Sequence, residues 1–138
     1  MAFNKEKMQK YKAIAAQMKF PENVEALGKV TGPDGEDVVT LSFAADRDIV
    51  KDLYVRLNDQ MSVLPQQTDT MLAVAGAVHE LAVGKAVMQM DLIGPKEIAA
   101  LLTDGEEAGD AEFYAMLLMV MALKNALTSY ADYRRVNK

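Results

Sequence analysis

The chain predicts an α+β fold of two layers, in which a small antiparallel sheet of about three strands packs against helices. Order is the first support: after one N-terminal helix the period-two segments come early and the helical segments fill the second half, which is segregation rather than βαβ alternation. A pair of β-branched runs, DVVTLSFAAD and IVKDLYVRL, is the second, because the turn between them is short enough for a hairpin. The third is the segment TMLAVAGAVHELAVG, apolar on nearly every side, which needs a sheet to cover it. With 138 residues, 51% of them hydrophobic, the chain makes one domain, 1–138, large enough to bury a substantial core.

Each element has its own justification. From Asn4 to Met18, the positions Met8, Tyr11, Ile14, Ala15 and Met18 repeat at amphipathic-helix spacing with lysines opposite, and Pro21 is expected to stop the helix. The stretch PENVEALGKVTGPDGED is rich in breakers and reads as an irregular approach, with EALGKV able to hold a short strand. In DVVTLSFAAD, alternation puts Val39, Leu41 and Phe43 on one face; ADRD turns the chain, and IVKDLYVRL returns antiparallel. The segment NDQMSVLPQQTD leaves room for a further short strand at Met61–Leu64, and Thr68 or Asp69 is placed to cap the apolar helix, which Gly84 ends. Pro95 suits the first position of a short helix with Ile98, Leu101 and Leu102 inward. After the acidic TDGEEAGDAE comes a long helix expected to bury Phe113, Leu117, Val120 and Leu127, with Asp110 as its cap and Glu112 favoured in its first turn by the helix dipole.

Composition closes several functional classes. There is no cysteine, which excludes disulfides, thiolate metal sites and cysteine nucleophiles within this sequence. A net charge of −5 has the wrong sign for binding nucleic-acid phosphates. The charged N-terminus lacks an apolar signal region and no run of roughly 18 apolar residues stands out, so a cytoplasmic protein without membrane contact is expected. His79, the single histidine, cannot build a histidine cluster and reads as an ordinary packed residue. Ten methionines, Met116, Met119 and Met121 among them, read as adaptable core and make self-association of a small domain reasonable. The acids Asp104, Glu106, Glu107, Asp110 and Glu112 lack the ordered alternation of an EF-hand and read as a solvated loop running into a helix start. No phosphate-binding glycine loop, serine elbow or HExxH motif is present, so no enzyme is expected.

Five motifs carry a resemblance. FPENVEALGKV is similar to the NPRNVG-L approach of the IscU and NifU N-terminal family of iron–sulfur cluster scaffolds, GEDVVTLSF to its CGDVVKLSI-type strand, and HELAVGKAV to its TELVKGKTV-type helix end. GPKEIAALL resembles the family's short -PEDIA-LL helix, and AMLLMVMALKNALTSY its closing HC-LA-EALK-AL-DY helix. The order matches and the span is roughly residues 18 to 131. The resemblance implies an IscU/NifU N-terminal-like fold of the SufE/NifU type.

In that family three cysteines and a neighbouring residue, often histidine, hold the nascent cluster, and an aspartate two positions after the first cysteine tunes its release. Carried over motif by motif, Gly35 stands at the first cysteine, Asp37 at the aspartate, Thr68 at the second cysteine, Ala115 at the third and Tyr114 at the histidine. The resemblance therefore implies a divergent member with a degenerate cluster site and no cysteine-ligated cofactor, in which Asp37 and Tyr114 remain as the candidate metal donors. Two segments depart from the pattern. About nine extra residues lie between Ile49 and Thr68, and DGEEAGDAE replaces the LPPVK segment that scaffolds use to engage a chaperone, so chaperone-driven transfer is not expected. The function implied is an interaction or regulatory partner in iron–sulfur cluster assembly, acting on a protein partner or as a homodimer. Alternatives are a small-ligand or divalent-metal domain, or an enzyme, reusing a pocket lined by Thr68, Met71 and Tyr114 beside Asp37, and a site completed in trans by a cysteine-bearing partner.

Overall fold

The computed structural model describes residues 3–31, 37–57 and 65–136, with backbone alone at 37 and 65–67. Helix α1, Lys5–Ala16, starts where the Asn4 side-chain oxygen accepts the Lys7 N–H at 3.0 Å, satisfying one of the donors that a helix start leaves free. Met8 and Tyr11 are buried, and Ile14, Ala15 and Met18 are half-buried. Termination comes earlier than expected, at Ala16 rather than at Pro21, with the Gln17 N–H closing the last turn on Ile14 O. Pro21 belongs to the linker, which lays Phe20 against the Tyr54 ring at 5.6 Å between centroids.

Three antiparallel strands follow in the order β1-β2-β3: β1 Ala26–Thr31, β2 Asp37–Asp46 and β3 Ile49–Leu57. The short strand allowed in EALGKV is thus β1, and the Met61–Leu64 segment lies outside the described residues. Val39, Leu41 and Phe43 are fully buried, as their alternation predicts, and Leu53 and Val55 pair opposite Phe43 and Leu41 on the same face. A register shift at Ala44/Ala45 leaves Lys51 without a partner, so Val50 and Leu53 both point into the core. The hairpin turn is two residues, Arg47 and Asp48, with φ of 53° and 63°, the double positive φ that matches strand twist. Neither is glycine, so the conformation needs external support. Asp48 O accepts the Val87 N–H at 2.8 Å, and its carboxylate accepts the Tyr130 hydroxyl at 2.5 Å. Burial and that carboxylate push the Tyr130 phenol up to about 12.

Helix α2, Pro65–Ala82, begins with proline at its first position, where a missing N–H costs nothing. Thr68 and Asp69, the fourth and fifth residues of α2, therefore sit within the helix instead of capping it, and Asp69 pairs with Lys12 at 3.0 Å. A 3₁₀ helix, Val87–Leu92, and helix α3, Pro95–Leu102, precede the long helix α4, Asp110–Val136. Ile98 and Leu102 are buried as expected and Leu101 is partly so. One device starts all three elements: a side chain three residues in accepts the backbone N–H of a cap that has no acceptor of its own. The pairs are Gln89 with Ala86, Glu97 with Gly94, and Glu112 with Gly109. Gly109, not Asp110, is thus the cap of α4.

The buried stripe of α4 also differs from expectation. It consists of Ala115, Met116, Leu118, Met119, Ala122, Leu123, Ala126 and Tyr130, whereas Phe113 and Leu117 are 47% and 38% exposed and Val120 and Leu127 lie at the margin. The cause is a close approach. A Cβ on Gly28 of β1 would lie 2.0 Å from Ala122 O and 2.3 Å from Ala126 N, so only the alanine face of α4 can meet a strand that carries no side chain there. Helix α2 meets α1 the same way, with Gly76 against Tyr11. By length and composition α4 is apolar enough to cross a membrane, the one such helix among the described residues, and 44% of that apolar window is buried inside the protein.

Replacing Gly28 by alanine is expected to cost about 1–3 kcal/mol, as overpacking against an immovable backbone does. Urea denaturation checks this; a Gly28→Ala midpoint equal to wild type would show that α4 can withdraw freely.

Candidate functional site

The packing of α4 on β1 decides which positions can share a site. Ser129 Oγ accepts the Leu27 N–H at 3.2 Å, and Asn125 Nδ2 donates to Lys29 O at 2.8 Å, so α4 runs opposite to β1. The end of β1 at Thr31, paired with Asp37, and the N-terminal half of α4, with Tyr114 and Ala115, therefore point toward the same end of the molecule. Three of the five positions that the sequence singles out, Asp37, Tyr114 and Ala115, thus lie toward one end.

The side chains at those positions do not make a donor set. Gly35 lies outside the described residues, and Asp37 opens β2 with its backbone alone described. Thr68 is exposed, whereas Met71, expected beside it in a pocket, is in the core. Ala115 is buried and presents only a methyl group to the interior. Tyr114 is 55% exposed, and neither its hydroxyl nor that of Thr68 makes a side-chain hydrogen bond among the described residues. Soft metals find no thiolate here, and no group of three histidine or carboxylate side chains converges among the described residues.

The acids of the loop before α4 divide by role. Asp104 accepts from Lys7, at 2.9 Å, and from Asn4, at 2.7 Å, and these bonds hold its carboxyl below the usual range. Glu112 is buried and accepts the Phe3 N–H at 3.0 Å as well as its own cap, fastening the start of the chain to the start of α4. Sequence reading assigned Glu112 to the helix start but missed the contact with Phe3, which no local pattern signals. Glu106, Glu107 and Asp110 are exposed and join no ion pair among the described residues.

Elsewhere, an open groove of about 450 Å³ is lined by Ile14, Gln17, His79, Glu80 and Val83. Glu80 is already engaged, accepting the Tyr11 hydroxyl at 2.7 Å. Burial and that carboxylate raise the Tyr11 phenol to about 12. His79 is half-buried; loss of hydration lowers its pKa and the nearby Asp52 carboxylate opposes the shift. Asp52 reaches His79 only because α2 packs beside β3, so sequence spacing could not have paired them. One histidine with one carboxylate is short of a metal site.

No family model matches this sequence, and neither does any curated protein. Solved structures do. The crystal structure of a nitrogen-fixing NifU-like protein (N-terminal) from Brucella abortus superimposes with a TM-score of 0.57, covering 94% of this chain and 94% of that one at 13% identity. The chain has the NifU-like fold. A putative iron–sulfur cluster assembly scaffold protein for the SUF system from thermophilic Fervidobacterium islandicum AW-1 agrees, with a TM-score of 0.53 over 90% of this chain and 96% of that chain, at 16% identity. The NifU-like fold explains why five short motifs keep their order while few residues coincide. It also accounts for the α+β layering and for an end of the molecule where β1, β2 and α4 come together.

Protonation of His79 should couple to stability with a definite sign. Its folded value lies below the unfolded 6.5, so the unfolded chain takes up the proton first and stability falls as pH drops below about 6.5. Urea denaturation at pH 7.5 and 5.5 is expected to show a smaller drop for His79→Gln than for wild type; equal drops would remove His79 from the account.

Proposed function

We propose that this chain acts in iron–sulfur cluster assembly as an interaction or regulatory partner that does not itself carry a cluster. One observation carries the reading: a NifU-like fold spanning 94% of the chain is combined with a sequence that has no cysteine. Cluster iron is held by thiolates, with imidazole as the usual substitute. Gly35 and Ala115 offer no side-chain donor, the Thr68 hydroxyl is neutral, and the exposed phenol of Tyr114 replaces imidazole poorly. What such a chain retains is shape, and shape is what binds another component of an assembly system. The likeness to the Fervidobacterium structure, that of a putative iron–sulfur cluster assembly scaffold protein for the SUF system, supports that setting.

A small-ligand or divalent-cation role for the same positions has less behind it, because Met71 is core while Thr68 and Tyr114 are exposed without a shared partner. Completion of the site by a cysteine-bearing partner remains compatible with the proposal, since that partner would bring the thiolates.

Anaerobic reconstitution of the full chain with ferrous iron and sulfide tests the central point. After desalting, far less than one iron per chain and no visible cluster absorbance are expected; a stable stoichiometric cluster would refute the proposal. Added to a cysteine-bearing scaffold with a cysteine desulfurase, the chain is expected to change the rate of cluster formation, and an unchanged rate counts against a regulatory role.

A further inference from the structure

Six of the twelve large apolar side chains exposed in the described structure belong to the N-terminal half of α4 and to the 3₁₀ helix bonded to it. Phe113, Tyr114, Leu117 and Met121 come from α4, and Met88 and Leu92 from the 3₁₀ helix, which is tied to α4 where Lys124 Nζ meets Asp91 Oδ1 at 2.8 Å. At 3.6 residues per turn, Asp110, Phe113, Leu117, Met121 and Lys124 all lie within about 40° of Leu117, on the side of α4 opposite Ala122 and Ala126. The stripe is therefore a second apolar face, unrelated to the one that packs on the sheet.

Its pattern is its own reverse. Counted from Leu117, the five residues fall at −7, −4, 0, +4 and +7, with an acid at one end, a base at the other and apolar side chains between. We infer that α4 pairs with α4 of a second copy of this chain, antiparallel, about a twofold axis through Leu117. This docking sets Leu117 against Leu117 of the partner subunit, Phe113 against Met121 of the partner subunit, and Asp110 against Lys124 of the partner subunit, each of the last two contacts occurring twice. Leu92 and Met88, beside the Lys124 end, widen the apolar area where the opposing aromatic end arrives.

Charge selects this occupant and orientation. Asp110 has no ion-pair partner among the described residues, and a parallel pairing would stack it on its own copy. Lys124 is engaged by Asp91 on one side only and keeps donor capacity for a second carboxylate. A chain of net charge −5 is repelled by anionic lipid and by nucleic acid, so neither suits the stripe. The inference holds whether or not the chain serves cluster assembly.

Sedimentation velocity on the full chain, over a concentration series, is the test. Wild type is expected to dimerise, and Leu117→Glu, at an exposed position, to be monomeric with unchanged circular dichroism and urea midpoint. Asp110→Lys and Lys124→Glu should each weaken the dimer at least about tenfold, and the double reversal should recover most of that loss. A wild type that stays monomeric at high concentration, a dimer indifferent to Leu117→Glu, or a double reversal no better than the single variants would overturn the inference. None of these outcomes involves iron, so they leave the cluster-assembly proposal to its own test.

Discussion

Gly28 has no side chain, and α4 occupies the space where one would be. With Ala122 O and Ala126 N closer than a Cβ would tolerate, the helix backbone rests directly on β1. Close contact of this kind fixes three things at once. It sets the height of α4 above the sheet, lets Asn125 and Ser129 reach the outward backbone groups of β1 at Lys29 and Leu27, and determines which side of α4 is buried. Those two side chains also satisfy polar groups on a sheet edge that would otherwise be open to pairing with another strand. Tyr130, two turns beyond Leu123 on the same helix, then lands on Phe43 and on the hairpin carboxylate of Asp48. The strained two-residue turn is held because the helix is held.

The end of the molecule where β1 meets β2 inherits this geometry. Once β1 and α4 run in opposite directions, Asp37 and the Tyr114–Ala115 step must lie toward the same end. Ala115 points a methyl group into the core and Tyr114 points a phenol outward, so neighbouring residues on one helix serve packing and surface instead of metal. The acids of the adjacent loop are likewise divided: Asp104 and Glu112 fasten the N-terminus, through Lys7, Asn4 and Phe3, and Glu106, Glu107 and Asp110 are exposed.

How far the sequence could be read follows from which signals were local. The hairpin was legible because alternation at Val39, Leu41 and Phe43 and the shortness of the turn are both properties of adjacent residues. Motif order pointed to the NifU-like fold, which solved structures bear out at identities too low for residue-by-residue transfer. The cap of α2 was misplaced because Thr68, Asp69 and Pro65 all resemble helix starts, and proline at the first position won. The face of α4 was misjudged for a deeper reason. Phe113 and Leu117 are larger and more apolar than Ala122 and Ala126, so hydrophobic ranking chose them, whereas close packing on a glycine strand demanded the small residues. His79 with Asp52, and Glu112 with Phe3, depend on tertiary proximity alone and left no trace in spacing.

A cluster-free role of the kind proposed requires that packing alone maintain the NifU-like fold, with no metal ion adding to its stability. Any ion held by the folded state and not the unfolded one would raise stability by about 2.7 kcal/mol at a concentration of 100 times its Kd, several degrees in Tm for a domain of this size. Differential scanning calorimetry of the full chain, with chelator and then with ferrous or zinc ion added anaerobically, reads that shift directly. An unchanged Tm under both conditions is the result this account predicts; a rise with metal that chelator reverses would contradict it.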